Sequence, residues 1–264
     1  MFSFLQKIIS SSSVKTGEAV GQPIKPFQIP SDNRLYVIGD IHGRLDLLIN
    51  IQAQIEGELE DLPPEVERRI IYLGDYIDRG PDSRGVIDRL LSHSITGCEQ
   101  IFLKGNHESE LESFLLDPQP NHTWTQHGGM EMALSYDIKV KAQISAVDRM
   151  RALRDCLLEA IPPAHLVFFS NLRLYYEMGD YFMVHAGVRP GVPLNKQKEM
   201  DLLWIREPFL SHKKLFEKRI VHGHTVTKQP IQLPNQIGID TGACYSGVLS
   251  CLVLEAETVR FLTT

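Results

Sequence analysis

Short apolar runs alternate with amphipathic segments in the first half of the chain, and this order constrains the fold more than any other feature. RLYVIG, RRIIYLG and EQIFLKG are typical of strands, residues 44–58 have a loose apolar face, and a second helix is expected to begin at Pro81. A short helix is expected from Glu108, and a longer one over 141–161 that ends at a Pro-Pro pair. Strands and helices in this order predict an α/β fold with helices packed on a parallel or mixed sheet.

The second half of the chain is richer in strand-like segments. LRLYYEMGDYFMVHAG is expected to form a hairpin around a Gly-Asp turn, and KRIVHGHT, NQIGIDTG and GVLSCLVLEAETVRFL add further strands. The chain contains no internal repeat or linker-like stretch, which predicts one domain over residues 31–264. Residues 1–30 are expected to form a flexible leader, because they lack the apolar length and cleavage site of a signal peptide.

Composition excludes several classes of protein. A net charge of -6 argues against a protein whose main role is to bind the phosphate backbone of a nucleic acid. No apolar stretch approaches the roughly 18 residues that a membrane-spanning helix requires, so no membrane partner is expected. The four cysteines form no CxxC pair, which fits reduced thiols in a cytoplasmic protein, although Cys244 and Cys251 could pair in principle.

Polar residues with metal-binding side chains follow five of the predicted strands. In α/β sheets, sites form at the carboxyl ends of strands. Aspartate, asparagine and histidine without cysteine suit Mn²⁺, Fe or Zn, and two such ions about 3.5–4 Å apart would polarise a phosphoryl oxygen and generate a hydroxide nucleophile. A single Asp-x-His or Asp-Arg-Gly turn needs no function, but five clusters in this order are not explained by turn composition. The segments are GDIHG (Asp40, His42), GDYIDRG (Asp75, Asp78, Arg79), GNHE (Asn106, His107), HAG (His185) and HGHT (His222, His224).

GDIHG, GDYIDRG and GNHE resemble the three signature motifs of the PPP-type metallophosphatases, within the calcineurin-like metallophosphoesterase superfamily. The likeness is greatest to the bacterial and phage branch, which includes the phage lambda phosphatase, and it extends over residues 35–255 through WTQHGG, LLWIRE, GHT and IDTGA. It implies a calcineurin-like sandwich of two mixed β-sheets flanked by helices. It also implies a site for two divalent metal ions, with Mn²⁺ expected first and Fe or Zn as alternatives.

The resemblance also implies a role for each matching residue. Asp75 would bridge the two metals, with Asp40 and His42 on one ion and Asn106, His185 and His224 on the other. His107 would be the general acid that protonates the leaving oxygen, and Asp78 would orient it by a hydrogen bond.

Four further residues are expected to contact substrate. Arg79 and Arg206 would bind the phosphate, since a planar guanidinium can contact two oxygens at once. Lys104 stands where the family usually has arginine, which predicts a weaker or differently aimed phosphate contact. Tyr245 matches an active-site tyrosine of eukaryotic members only through a loose alignment of GACYSG.

The remaining histidines are assigned no metal. His222 is expected to lie beside the site, and Val226 occupies the position of a second histidine in the GHxH motif of the wider superfamily, which favours the PPP assignment. The other histidines outside the motifs are expected to be structural or solvated; they include His122, His127, His165 and His212.

Three functions remain open from the sequence. A phosphatase acting on phosphoserine or phosphothreonine in proteins, with phosphotyrosine as a further option, is favoured over a symmetrical dinucleoside tetraphosphate hydrolase because the second motif keeps Asp78. A non-catalytic binding module is disfavoured by the intact set of site residues, and a nuclease by Val226 and the acidic charge. Residues 112–165 are expected to lie beside the cleft and to influence substrate choice. No regulatory partner is predicted.

Overall fold

The strands form two mixed β-sheets. The computed structural model describes residues 26–139 and 145–264, and within these ranges each sheet has five strands. In the first sheet the order is β10-β9-β1-β2-β3, with β1, β2 and β3 parallel and β9 antiparallel to β1. Its strands are β1 (Asn33–Ile38), β2 (Glu67–Tyr72), β3 (Cys98–Phe102), β9 (Ser250–Glu255) and β10 (Thr258–Thr263).

The second sheet is built by the later part of the chain. Its order is β4-β5-β6-β8-β7, with β5, β6 and β8 parallel and both edge strands antiparallel. The predicted hairpin is present as β4 and β5, and the predicted α/β fold of two mixed sheets flanked by helices is confirmed. The strands are β4 (Tyr175–Met178), β5 (Tyr181–Val184), β6 (Arg219–His222), β7 (Ile231–Gln232) and β8 (Gln236–Gly238).

Helices flank the sheets on their outer faces. In chain order the described helices are α1 (Leu45–Leu59), α2 (Ser83–Ser92), α3 (Asn106–Leu116), α4 (Thr123–Gln126), α5 (Gly129–Ser135), α6 (Ala146–Ala160), α7 (Pro163–Ser170), α8 (Glu199–Trp204) and α9 (Ala243–Ser246), with a 3-10 turn at Leu194–Lys196. In the described part of the chain no helix has both the length and the hydropathy to cross a bilayer.

Local capping explains where the helices depart from the predicted bounds. α2 begins at Ser83, two residues after Pro81, because the Asp82 carboxylate caps it by accepting the Gly85 N–H at 2.7 Å. α3 begins at Asn106, two residues before the predicted start. α6 begins at residue 146, where Ser145 accepts the Asp148 N–H; residues 141–144 of the predicted helix lie outside the described residues.

Three apolar clusters hold these layers together. Because side chains alternate along a strand, Leu35 and Val37 of β1 face the second sheet, while Tyr36 and Ile38 face the helices. A third cluster packs α8 on the outer face of the second sheet. The loops at the carboxyl ends of both sets of parallel strands therefore lie over one edge of a rigid double layer.

Residues 26–30 belong to this folded body, although they were expected to be part of a flexible leader. Ile29 is 2% exposed and packs in the cluster between the sheets, and its N–H donates to Ala256 O at 3.0 Å. Gln28 N–H donates to the Asp180 carboxylate and its carbonyl accepts the Asp180 N–H. Residues 1–25 of the expected leader lie outside the described residues.

All four cysteines are in the described part of the chain and are free. Cys251 is buried in β9, and Cys244 lies half-buried in α9. The pairing of Cys244 with Cys251 that the spacing left open is therefore not formed.

Candidate metal centre and active site

The predicted ligands meet where the parallel strands end. Asp40 follows β1 by two residues, Asp75 follows β2 by three, and Asn106 begins α3 just beyond β3. From the second sheet, His185 follows β5 directly and His224 follows β6 by two residues. All five side chains are buried, so both sheets contribute to one enclosed polar cluster.

Asp75 lies at the centre of this cluster. Its Oδ2 is 3.5 Å from His42 Nε2, and its Oδ1 is 3.5 Å from His185 Nε2. Two groups of side chains have ligand atoms within 4.8 Å of one another, one of His42, Asp75 and His107 and the other of Asp75, His185 and His224. A carboxylate shared by two groups has the position that a bridging ligand requires.

Backbone carbonyls fix the orientation of two histidines. His42 Nδ1 is 2.9 Å from Ile77 O, and His185 Nδ1 is 3.0 Å from Leu73 O. A carbonyl only accepts, so each Nδ1 carries the proton and each Nε2 presents a lone pair to the cluster. Burial lowers the pKa of His42 to about 3, which keeps its imidazole neutral and able to coordinate.

Several buried polar atoms are arranged as a cation would require. The lone pair on His185 Nε2 faces Asn106 Oδ1 at 2.9 Å, and two acceptors at this distance repel unless a cation binds both. Asp40 Oδ1 and His224 Nε2 have no hydrogen-bond partner among the described residues. Burial, together with Asp240 and Asp75, raises the pKa of Asp40 well above its usual range. Hard oxygen and imidazole donors with uncompensated negative charge fit divalent cations.

Asp240 is a member of this cluster that the sequence analysis did not single out. It is 3% exposed, it follows β8 by two residues, and its carboxylate accepts the Gly242 N–H at 2.8 Å. Its position after a strand, in IDTG, is the signal that could have identified it.

The expected proton donor and its orienting carboxylate are in contact. His107 Nδ1 is 2.7 Å from Asp78 Oδ2, and both side chains are buried. His107 Nε2 has no hydrogen-bond partner in the described part of the chain and lies 3.9 Å from Asp75 Oδ2. Burial alone would lower the pKa of His107, but Asp75 and Asp78 raise it above the usual value. This is the direction that a proton donor near neutral pH requires.

A cavity of about 340 Å³ opens beside this cluster. Arg79 and Arg206, whose binding of phosphate stays a prediction, line it, and so does Tyr245, which is 72% exposed. Arg79 Nη1 donates to His42 Nε2 at 2.9 Å, so it contacts the nitrogen that would face a metal. The other lining residues are Asp75, Asn106, His127, Trp204, His224, Thr225 and Val226.

Lys104 is not among the residues that line this cavity, and its expected contact with substrate stays a prediction. Its ammonium group is paired with Glu112 on α3 and lies 3.8 Å from Glu199 on α8. The ion pair with Glu112 draws the lysine side chain along α3 and compensates its charge.

Glu108, the last residue of GNHE, supports the loops rather than the cavity. Its carboxylate accepts the backbone N–H groups of Asp75, Tyr76 and Gly105 at 2.8–2.9 Å. It therefore holds the second and third motifs against each other.

Of the histidines assigned no metal, His222 and His165 lie outside the two groups that could hold an ion, whereas His127 lines the cavity. His222 Nδ1 contacts Gly223 O and its ring packs on Phe209, outside both metal-ligating groups. His165 is buried between Tyr136 and Asp88. His127, expected to be structural or solvated, instead lines the cavity with its ring centroid 6.5 Å from that of His107.

These features define a metallophosphoesterase, an enzyme that hydrolyses phosphoesters. The chain belongs to the calcineurin-like phosphoesterase family, whose profile matches residues 33–245. The matched residues include both groups of side chains that could hold a metal ion.

Two similar curated relatives carry the same name. The chain is 27% identical to bis(5'-nucleosyl)-tetraphosphatase PrpE [asymmetrical] of Anoxybacillus flavithermus, over 86% of this chain and 94% of that protein. The identity to the protein of the same name from Bacillus thuringiensis is 25%, over 84% and 92%. These names are those of neither a protein phosphatase nor a symmetrical hydrolase, and the assignment to the bacterial and phage PPP branch stays a prediction.

Solved structures with the same fold have diverse names. A protein described provisionally as a diadenosine tetraphosphatase superposes with a TM-score of 0.61 at 18% identity, covering 90% of this chain and 98% of the other. A cold-active protein tyrosine phosphatase gives 0.53 at 16%, covering 89% and 81%. A serine/threonine phosphatase from Saccharomyces cerevisiae gives 0.51 at 13%, covering 90% and 84%. At these identities the likeness shows the fold alone.

Proposed function

We propose that the protein hydrolyses phosphate monoesters of alkyl alcohols, with phosphoserine and phosphothreonine in proteins as the substrate class. The observation that carries this proposal is the buried contact between His107 and Asp78 beside the cavity. A serine or threonine alkoxide is a poor leaving group, so a held proton donor accelerates its departure more than that of an acidic leaving group.

The chain's own residues divide the remaining work. Arg79 and Arg206 would bind the phosphate oxygens in the cavity that they line, and Tyr245, an exposed lining residue, would contact the substrate. Asp40, His42, Asp75, Asn106, His185 and His224 would hold two divalent cations, for which we propose Mn²⁺. When bound, these ions would supply Lewis-acid polarisation of the phosphoryl group.

A second candidate function is the asymmetrical hydrolysis of dinucleoside tetraphosphates. Similarity over 86% of this chain to a relative of that name favours it. A nucleotide phosphate leaves more easily than an alkoxide, so this reaction depends less on His107. The symmetrical cleavage first weighed from the sequence has no such support among these relatives.

Turnover on a panel of substrates separates the candidates. The purified protein, supplied with Mn²⁺, would be compared on a phosphothreonine peptide, a phosphotyrosine peptide and diadenosine tetraphosphate. We expect the phosphothreonine peptide to be hydrolysed fastest. Faster production of ATP and AMP from the dinucleotide would instead establish the asymmetrical reaction, and two ADP would establish the symmetrical one.

The proton donor is tested by His107→Asn. We expect kcat on the phosphothreonine peptide to fall roughly 10²–10⁴-fold, and kcat on p-nitrophenyl phosphate to fall much less because its leaving group hardly needs a proton. Bound metal would be measured in parallel and should be retained. His93→Asn, at a histidine paired with Glu56 away from the cavity, is the matched control. Equal losses on both substrates would contradict the assignment.

A further inference from the structure

Trp124 donates a hydrogen bond into the proposed proton-donor pair. Its indole Nε1 lies 3.2 Å from Asp78 Oδ1, while Asp78 Oδ2 contacts His107 Nδ1 at 2.7 Å. The three side chains thus form a continuous chain of hydrogen bonds from the α4 helix to His107, whose Nε2 lies 3.9 Å from the cavity-lining Asp75. Resting on the function proposed above, we propose that Trp124 is a positioning residue that orients Asp78 and, through it, the proton donor His107.

The contact is fully enclosed. Trp124 and Asp78 are both 0% exposed, so no solvent reaches either of them. An indole N–H can only donate, and it therefore stabilises the acceptor oxygen of an ionised carboxylate. Without it, Asp78 Oδ1 would be a buried oxygen with no side-chain partner among the described residues, which is costly. The carboxylate would then be stabilised by rotating out of the plane in which its Oδ2 contacts His107 Nδ1.

Packing fixes the indole ring itself. Phe114 lies against it with ring centroids 4.8 Å apart. Gly129 also lies against the ring, where an added Cβ would come within 2.3 Å of it. These close contacts restrict the indole in the orientation that directs Nε1 at Asp78.

Segment 123–129, which carries Trp124, contacts the second motif, GDYIDRG, at one further residue. Arg79 N–H donates to Gly128 O at 3.1 Å, one residue after the contact made by Asp78. Segment 123–129 is thus attached at two consecutive residues of GDYIDRG, and a displacement of Trp124 would be transmitted to both. Trp124 reaches no cavity-lining position itself, so it acts through Asp78 rather than on substrate.

The experiment removes the N–H group and keeps the ring. In Trp124→Phe we expect kcat on the phosphothreonine peptide to fall about 10-fold with KM unchanged, and kcat on p-nitrophenyl phosphate to change less than about 3-fold. In an Asp78→Asn background the same substitution should cause no further loss, because the residue through which Trp124 acts has already been changed.

Two further variants keep the test decisive. Phe114→Leu loosens the packing that orients the Trp124 ring without touching Asp78, so it should lower the thermal midpoint and reproduce, in weaker form, the selective loss on the phosphothreonine peptide. If Trp124→Phe does not fold, 3-benzothienylalanine at position 124 replaces the N–H by sulfur with little change of shape. Equal losses on both substrates, or an additive loss with Asp78→Asn, would overturn the proposal. If His107→Asn itself shows no preference between substrates, the proposed function has failed instead.

Discussion

Five of the proposed site residues have backbones in the left-handed region. His42, Asp75, Asp78, Arg79 and His224 have φ between 46° and 71°, a conformation that costs a non-glycine residue about 1–3 kcal/mol. Backbone hydrogen bonds compensate part of this cost, since the N–H groups of Ile41 and His42 both donate to Asp75 O. These backbone conformations turn carboxylates and imidazoles of successive loops toward one point.

The bridging role proposed for Asp75 is tested by Asp75→Asn. We expect both metals to bind at least 10-fold more weakly, because the one anionic side chain common to the two groups is neutralised. Metal content after equilibrium dialysis against Mn²⁺ would measure this. Asp46→Asn, which removes an exposed charge of the same kind, is the control. Loss of a single metal would contradict a shared carboxylate.

At the scale of elements, the parallel strands explain which parts of the site could be predicted. Parallel strands end at the same edge of a sheet, so polar motifs after successive strands predicted the cluster of Asp40, Asp75 and Asn106. Lys104 follows a strand in the same way, but its side chain forms an ion pair with Glu112 on the next helix. The order of strands and motifs along the chain does not predict an ion pair of this kind.

Short helices account for most of what the sequence did not predict. α4 has four residues and α5 has seven, too short for an apolar period to be recognised. They nevertheless bring Trp124 to Asp78 and His127 to the cavity. Their place depends on the contacts of Trp124 and Gly128 with the second motif, not on local propensity.

The junction between α4 and α5 is tested by Gly128→Ala. Gly128 has φ +106°, and an added Cβ would come within 2.5 Å of Arg79 N, so Arg79 must shift. We expect kcat/KM on the phosphothreonine peptide to fall roughly 10-fold, mainly through KM, because a phosphate ligand is displaced.

Gly57→Ala is the matched control for this substitution. Gly57 lies in α1, and a Cβ there meets nothing within 4 Å. Alanine should stabilise that helix by about 0.5–1 kcal/mol and leave turnover unchanged. Unchanged KM in Gly128→Ala would show that Arg79 tolerates the shift, against the role given to this turn.

At the scale of the whole molecule, the proposed site joins the two sheets. Asp40, Asp75 and Asn106 follow strands of the first sheet, whereas His185 and His224 follow strands of the second. Between the sheets the cluster around Val37 and Val221 is apolar, so these polar contacts at the edge are the part of the interface that a cation can strengthen. Metal binding at the proposed site would therefore be coupled to the stability of the fold that both sheets form.

Thermal unfolding with and without Mn²⁺ tests this coupling. At a free concentration about 100 times Kd, one bound ion stabilises the folded state by about 2.7 kcal/mol. In a domain of this size that corresponds to a rise in Tm of roughly 5–10 °C. The chelated protein should give the lower value.

The variant His224→Asn tests whether Mn²⁺ stabilises the fold through a ligand from the second sheet. His224→Asn removes an imidazole contributed by the second sheet, so the Mn²⁺-induced rise in Tm should shrink by at least half, whatever the Tm of the chelated variant. His212→Asn, at a histidine that packs on Phe216 away from the metal-ligating groups, should keep the full rise. Because the readout is the difference made by metal within each variant, a general loss of stability cannot imitate it. An undiminished rise in His224→Asn would contradict the proposed role of His224 as a metal ligand.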